Sequence, residues 1–167
     1  MKKRIAVLGT NVFLNTKFHD GEYIPGNAKK MLKYSSAFEI DNFTKKSLTS
    51  INALNFIKMF SSERQYADCI IELGEADSNS KVDLITFENN LFELIDYLKN
   101  NNIKPILVSL SNSIINKTGY KEYQMIIDNV ALKTKVDYIY LGKENEQASF
   151  VAKSKSQTKR KIYEFCS

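Results

Sequence analysis

Short apolar runs alternate along the chain with segments in which apolar residues recur every three or four positions. Four of the runs are rich in strand-forming side chains and stop at glycine or polar residues, as buried strands do: Arg4–Leu8, Cys69–Leu73, Pro105–Leu110 and Val136–Leu141. Apolar residues at helical spacing predict a helix after Ser47, which has the side chain of an N-cap. The same spacing predicts helices over Phe87–Leu98 and about Lys121–Thr134. Strands that alternate with helices predict right-handed crossovers and a mainly parallel sheet with helices on both faces.

Three weaker patterns complete the predicted order of elements. Ser36–Asp41 alternates as a strand would, and Asn27–Tyr34 and about Gln147–Phe165 are expected to be helices. The polar stretch Gly74–Lys81 is expected to be a loop. The fold predicted for residues 1–167 is a single three-layer α/β/α sandwich around about five strands, in a flavodoxin-like order.

Charge and hydropathy narrow the function classes. The chain has 167 residues and a net charge of +5, and much of the excess lies near the C-terminus, at Lys153, Lys155, Lys159, Arg160 and Lys161. A solvated last helix accounts for this run, whereas a nucleic-acid surface would carry more interleaved aromatic residues. No apolar run is long enough to span a membrane, and Met1–Arg4 lacks the apolar segment of a secretory signal. We therefore expect a cytoplasmic protein, or a domain of a larger one.

Cysteine and histidine are too few for a disulfide framework or a zinc site. Cys69 lies in an apolar run and is expected to be a small buried side chain, while Cys166 and His19 are far from it in sequence. No metal centre and no cofactor are expected.

In an open parallel sheet, ligands bind beyond the carboxyl ends of the strands, where neighbouring loops diverge. The loops that follow the predicted strands are polar or contain glycine. They supply Thr10 as the candidate catalytic hydroxyl. The candidate ligand-binding residues are Gly9, Asn11, Gly74, Glu75, Asp77, Ser111 and Asn112.

Four blocks of the sequence resemble the SGNH/GDSL hydrolases, in order and in spacing. IAVLGTN resembles the strand that ends in Gly-Asp-Ser, and ADCIIELGEAD resembles the strand before Gly-x-Asn-Asp. FENNLFELIDYLKNNNIKPILVSLS and VDYIYL resemble the helix and strands that follow. The resemblance covers nearly the whole chain and implies an SGNH hydrolase-like fold.

The signature residues of that family are replaced. Thr10-Asn11 stands where the family has Asp and its nucleophilic Ser, and Ala76 stands where it has the oxyanion Asn. The closing Asp-x-x-His falls at Glu146–Ser149, which contains no histidine, and His19 comes too early in the chain to replace it. The resemblance therefore implies a catalytically degenerate member.

Three functions remain open at this stage. The first is a non-catalytic module that binds a small molecule, a glycan or a protein, by analogy in a bacterial glycan or surface-polysaccharide setting. The second is an esterase or acyltransferase with altered chemistry. It would use Thr10, with Glu75 or Asp77 as base or magnesium ligand, while Glu72 points to one face of the sheet. The third is a basic nucleic-acid-binding domain, which the C-terminal charge run alone supports.

Overall fold

The computed structural model of the protein describes residues 3–10, 16–19, 22–25, 38–110, 115 and 118–140. Within these ranges the strands are β1 (Lys3–Gly9), β2 (Thr16–His19), β3 (Glu22–Pro25), β4 (Phe38–Thr44), β5 (Asp68–Glu72), β6 (Lys104–Val108) and β7 (Asp137–Ile139). The helices are α1 (Ser50–Ser61), α2 (Glu75–Asn79), α3 (Leu84–Asn100) and α4 (Lys121–Thr134).

Five of the strands form one parallel sheet in the order β4-β1-β5-β6-β7. Each neighbouring pair in it is parallel. The strand that follows β1 in this sheet, β4, lies on one side of it and all later strands lie on the other, which is the flavodoxin-like order. The predicted fold class and the central position of β1, β5 and β6 are confirmed.

A second, two-stranded sheet was not predicted. β2 and β3 pair antiparallel, with Thr16 opposite Pro25 and His19 opposite Glu22. Asp20-Gly21 lies between the two strands in the sequence, and this dipeptide is a strong hairpin signal when strand-forming residues flank it. Each strand has only four residues, which is the shortest run over which alternation indicates a strand.

Both faces of the central strands are buried, as the continuous apolar runs predicted. One face carries Ala6, Leu8, Cys69, Ile71 and Leu107, which form a single core with residues of α1, α3 and α4. The opposite face carries Ile5, Val7, Ile70, Ile106 and Val108, which are also buried. Cys69 is thus the small buried side chain expected there, and burial raises the pKa of its thiol.

The helix expected after Ser47 begins three residues later. Thr49 is the N-cap of α1, and its side-chain oxygen accepts from the backbone N–H of Asn52. Ser47 is exposed and precedes the cap. The helix expected over Phe87–Leu98 is longer than its apolar stripe, because Asp83 caps α3 by accepting from the N–H of Thr86.

Two further boundaries differ from the prediction. β4 runs to Thr44, because its register with β1 continues to the Gly9–Thr44 pair. The polar stretch after β5 contains the short helix α2 and is not a plain loop.

The expected helices Asn27–Tyr34 and Gln147–Phe165 lie outside the described residues. Among the helices that the structure describes, none combines the length and the apolar character needed to cross a membrane.

A substitution at Leu94 tests which side of α3 faces the core, because this side chain lies on the buried apolar stripe of the helix and is 0% exposed. We expect Leu94→Ala to lower the free energy of unfolding by about 2–5 kcal/mol in urea denaturation, since the site becomes a cavity. Ile85→Ala on the same helix, where the side chain is 73% exposed, should cost less than about 0.5 kcal/mol. Equal losses in the two variants would contradict the packing of α3.

Candidate functional site

The parallel strands bring their carboxyl ends to one edge of the sheet, where the candidate residues were expected. Gly9 is the last residue of β1 and Thr10 follows it. The loop after β4 contacts this end of β1, because the N–H of Lys45 donates to the carbonyl oxygen of Gly9 at 2.9 Å. Glu72 ends β5 and lies opposite Gly9 in the register. The described part of this edge is therefore built from the ends of β1, β4, β5 and β6.

Thr10 and Glu72 form a buried polar pair at this edge. The hydroxyl of Thr10 donates to Oε1 of Glu72 at 3.1 Å, and each residue is only 1% exposed. A buried carboxylate needs donors to offset its lost hydration, and Thr10 supplies one of them. The candidate catalytic hydroxyl is thus held inside the fold by a carboxylate.

Gly9 gives the Glu72 side chain its space. A Cβ atom at position 9 would lie 2.7 Å from the carbonyl oxygen of Glu72, 3.0 Å from its Cβ and 3.1 Å from Oε2. Backbone atoms cannot yield to such a contact, so any side chain at this position would push β1 and β5 apart. The glycine predicted to bind a ligand therefore has a packing role in the described structure.

Asp77 lies inside the protein and does not reach the rim of the crevice. Its carboxylate is 0% exposed. The backbone N–H of Ser50 donates to its Oδ1 at 2.9 Å and to its Oδ2 at 3.1 Å, and the Ser50 hydroxyl donates to Oδ1 at 2.6 Å. Asp77 thereby holds the first residue of α1, where the helix dipole favours a negative charge. Burial raises the pKa of Asp77, against the lowering effect of the bonds from Ser50.

The other residues after β5 follow a turn at Gly74. Gly74 has φ of +121°, a conformation that residues with a Cβ atom disfavour, and it is the N-cap residue of α2. Glu75 is half-buried, and it is the carboxylate of this loop that remains partly accessible. Ala76 is buried, and its methyl group has no hydrogen to donate to an oxyanion.

The start of the loop after β6 is fixed by Gln124 of α4. The N–H of Leu110 donates to Oε1 of Gln124 at 2.7 Å, and Nε2 of Gln124 donates to Asp128 and to the hydroxyl of Tyr138. Gln124 is buried, so these bonds tie the end of β6 to α4 and β7. The candidates Asn11, Ser111 and Asn112 lie outside the described residues.

Sequence reasoning was right that Glu72 does not reach the rim and wrong that Asp77 does. Asp77 was expected at the rim and is buried, whereas Glu72 was set aside and lies against Gly9 and Thr10. The signal for Glu72 was a carboxylate within the apolar run CIIEL, because a buried acid in a strand needs a specific partner.

The magnesium hypothesis required Glu75 and Asp77 to share a cation. Both carboxylate oxygens of Asp77 accept from Ser50. Across the ranges that the structure describes, no three His, Cys, Asp or Glu side chains come together as a metal site.

Asp77→Ala tests whether this carboxylate is a helix cap. The variant leaves the N–H and hydroxyl of the buried Ser50 without their acceptor, so we expect the free energy of unfolding to fall by about 1–3 kcal/mol at pH 7. The matched control is Glu75→Ala, in the same short helix at a half-buried position. Urea denaturation of both variants measures the difference, and a loss for Asp77→Ala no larger than for the control would contradict the capping role.

The sequence matches no protein-family model, and no curated protein is significantly similar to it. Solved structures do resemble it in fold. The SGNH-hydrolase family esterase AlinE4 has a TM-score of 0.66 at 19% identity, over 83% of this chain and 75% of its own. The psychrotrophic esterase EstA from Pseudoalteromonas sp. has a TM-score of 0.68 at 16% identity, over 84% and 78%.

A third similar structure covers almost the whole of both chains. A protein assigned to the lipolytic G-D-S-L family, from Desulfitobacterium hafniense, has a TM-score of 0.66 at 18% identity, over 98% of this chain and 96% of its own. At these identities the likeness establishes the fold and leaves activity open. The chain has the fold of the SGNH/GDSL hydrolases, as the four sequence blocks predicted.

Proposed function

We propose that this chain is a catalytically silent, SGNH hydrolase-like binding or accessory module. Its crevice at the carboxyl edge of the sheet would hold a small molecule, a glycan or a protein segment without cleaving it. One observation carries the proposal: the Thr10 hydroxyl is buried and donates to the buried carboxylate of Glu72. A nucleophile has to be presented to its substrate, and this hydroxyl is enclosed.

The residue types around the crevice support the same conclusion. Acyl transfer needs a nucleophile, a base that can take its proton and donors for the oxyanion. Asn11, at the position that corresponds to the serine of the resembled family, carries an amide, and Ala76 has no side-chain donor. Of the two carboxylates after β5, Asp77 accepts three hydrogen bonds from Ser50, and Glu75 is half-buried in α2.

Ester hydrolysis is the second candidate, and the Thr10–Glu72 geometry favours it. At 3.1 Å the hydroxyl already points its proton at a carboxylate, which is the arrangement of a nucleophile and its general base. Glu72 would take that proton while the hydroxyl oxygen attacks the ester carbonyl, and would return it to the departing alcohol. Water would then release the acyl group from Thr10 by the same route. The pair would first have to become accessible.

Hydrolysis of p-nitrophenyl acetate separates the two candidates. We expect the wild-type protein to release p-nitrophenol no faster than protein-free buffer, because Thr10 is enclosed. Thr10→Ala and Glu72→Gln test the alternative, since the first removes the hydroxyl and the second keeps the shape of the acid but not its charge. Thr44→Ala is the matched control, a nearby hydroxyl that bonds to Asn42.

Equal turnover by the wild type and by Thr10→Ala would mean that the activity comes from another site in the chain or from a contaminating hydrolase. The opposite result would be wild-type turnover that both Thr10→Ala and Glu72→Gln abolish and that Thr44→Ala leaves unchanged. If circular dichroism shows that all variants are folded, this result would overturn the proposal of a catalytically silent module. It would establish the Thr10–Glu72 pair as catalytic.

For the ligand, we propose an acylated glycan in a bacterial surface-polysaccharide setting. The support is analogy: structures of similar fold are named as esterases and lipolytic proteins, and a crevice inherited from such a fold would retain affinity for an ester group.

Thermal denaturation with acetylated xylo-oligosaccharides tests this setting. A ligand that binds the folded state at about 100 times its Kd stabilises it by about 2.7 kcal/mol, which raises the Tm by several degrees in a domain of this size. We expect that rise with the acetylated sugar and none with the same sugar after deacetylation. A Tm that stays constant with both would remove the acylated-glycan proposal and leave the catalytic test unaffected.

A further inference from the structure

A buried amide near the start of α4 holds the backbone just beyond the end of β6. Oε1 of Gln124 accepts the N–H of Leu110 at 2.7 Å, and both residues are buried. Nε2 of Gln124 donates to Oδ1 of Asp128 at 2.7 Å and to the hydroxyl of Tyr138 at 2.8 Å. The acceptor and the two donors of this amide are therefore all engaged within the protein.

The partners of Gln124 favour one orientation of its amide. The Tyr138 hydroxyl donates its own hydrogen to Oδ1 of Asp128, so toward Nε2 it is an acceptor. Burial raises the pKa of Tyr138, and the bond to Asp128 raises it further, so the hydroxyl keeps this hydrogen at neutral pH. Turning the amide over would set Oε1 against the Asp128 carboxylate and Nε2 against the N–H of Leu110. These two partners thus direct the oxygen of Gln124 toward Leu110.

The Leu110 side chain lies beside the turn that follows β5. A Cβ atom at Gly74 would lie 3.5 Å from Cδ1 of Leu110, an ordinary van der Waals distance. β5 and β6 are neighbouring parallel strands, so the chain at Gly74 and at Leu110 leaves the sheet at the same, carboxyl, edge. Ligands bind at this edge in open parallel sheets. The bond from Leu110 to Gln124 therefore determines how the chain after β6 lies against the turn after β5.

The Leu110 N–H depends on Gln124 for its acceptor. Leu110 is 0% exposed, so solvent does not reach it in the folded protein. A buried N–H without an acceptor is costly. A chain without the Gln124 oxygen would therefore have to move Leu110 toward solvent or toward another acceptor, and its side chain would move relative to Gly74.

We propose that Gln124 is a positioning residue for ligand binding, which holds Leu110 against Gly74 and thereby keeps the β5–β6 side of the crevice in its binding shape. The polar atoms of Gln124 are all engaged within the protein, so it acts through Leu110 and does not contact the ligand. Asp128 is exposed on α4, so part of the arrangement that shapes the crevice lies at the outer surface. This inference rests on the proposed binding role of the crevice.

Nuclear magnetic resonance of the isotope-labelled full chain tests the positioning in the absence of ligand. In the wild type we expect slow exchange of the Leu110 amide proton and a nuclear Overhauser effect between the Leu110 methyl groups and the Gly74 α-protons. Gln124→Met keeps an unbranched side chain of similar length but removes the acceptor. We expect the Leu110 amide to exchange about tenfold faster or more, because an unpaired buried N–H lowers the cost of local opening. The Overhauser effect should weaken.

Calorimetric titration with the acetylated xylo-oligosaccharides measures the consequence for binding. Gln124→Met should weaken binding about tenfold or more. The double variant Gln124→Glu, Asp128→Asn exchanges the amide and the carboxylate, so Leu110 keeps an acceptor and position 128 supplies a donor to it. We expect this variant to recover most of the affinity. If Gln124→Met fails to fold, Asp128→Ala at the exposed position gives the same test, with smaller changes of the same kind expected.

Tyr97→Phe is the matched control, because it removes a part-buried hydrogen bond to Ser61 near the C-terminal end of α3. It should change neither the Leu110 signals nor the affinity. Unchanged Leu110 signals in folded Gln124→Met, or changed signals with full affinity for the sugar, would overturn the proposal. A wild-type protein that binds no acetylated sugar would instead remove the proposed ligand, and Gln124 would then have only a structural role.

Discussion

The close approach of β1 and β5 at Gly9 and Glu72 constrains the whole crevice edge. Parallel pairing sets these two residues opposite each other, and the contact leaves no room for a side chain at position 9. Glu72 can therefore turn its carboxylate inward beside β1, where it is buried and needs hydrogen-bond donors. Thr10, the next residue after Gly9, supplies one of them. The absence of a side chain at Gly9 thus allows the Glu72 carboxylate to be buried beside β1, and the Thr10 hydroxyl is engaged as its hydrogen-bond donor.

The elements that the sequence predicted well are those whose pattern is set by burial alone. β1, β5 and β6 are continuous apolar runs because both of their faces are covered, and α4 was predicted with the boundaries it has. The errors occur where contacts distant in sequence fix the boundary. β4 extends to Thr44 because its pairing with β1 continues to Gly9. α1 starts at Ser50, whose backbone N–H donates a hydrogen bond to the carboxylate of Asp77. Local pattern contains no information about either partner.

The candidate site was predictable in place but not in detail. Parallel strands put their carboxyl ends on one edge whatever their sequence, so Gly9, Thr10 and the residues after Leu73 could be assigned there without coordinates. Which carboxylate is buried is a different question, because it depends on how the strands align and where a helix begins. Glu72 meets Gly9 through the β1–β5 register, and Asp77 meets Ser50 through the packing of α1. Neither neighbour is within twenty residues of its acid.

A catalytic acid or base has to stay available for a proton or a substrate, and a stabilising one is engaged within the protein. Asp77 holds the start of α1, and Asn90 donates to the same Ser50 hydroxyl, so freeing this carboxylate would disturb three helices. Glu72 is equally enclosed, between Gly9 and Thr10. For Thr10 to act as a nucleophile, its bond to Glu72 would have to open, exposing an acid that the β1–β5 contact now buries. The described polar contacts at this edge therefore stabilise the SGNH-like fold, and both carboxylates that make them are engaged within the protein.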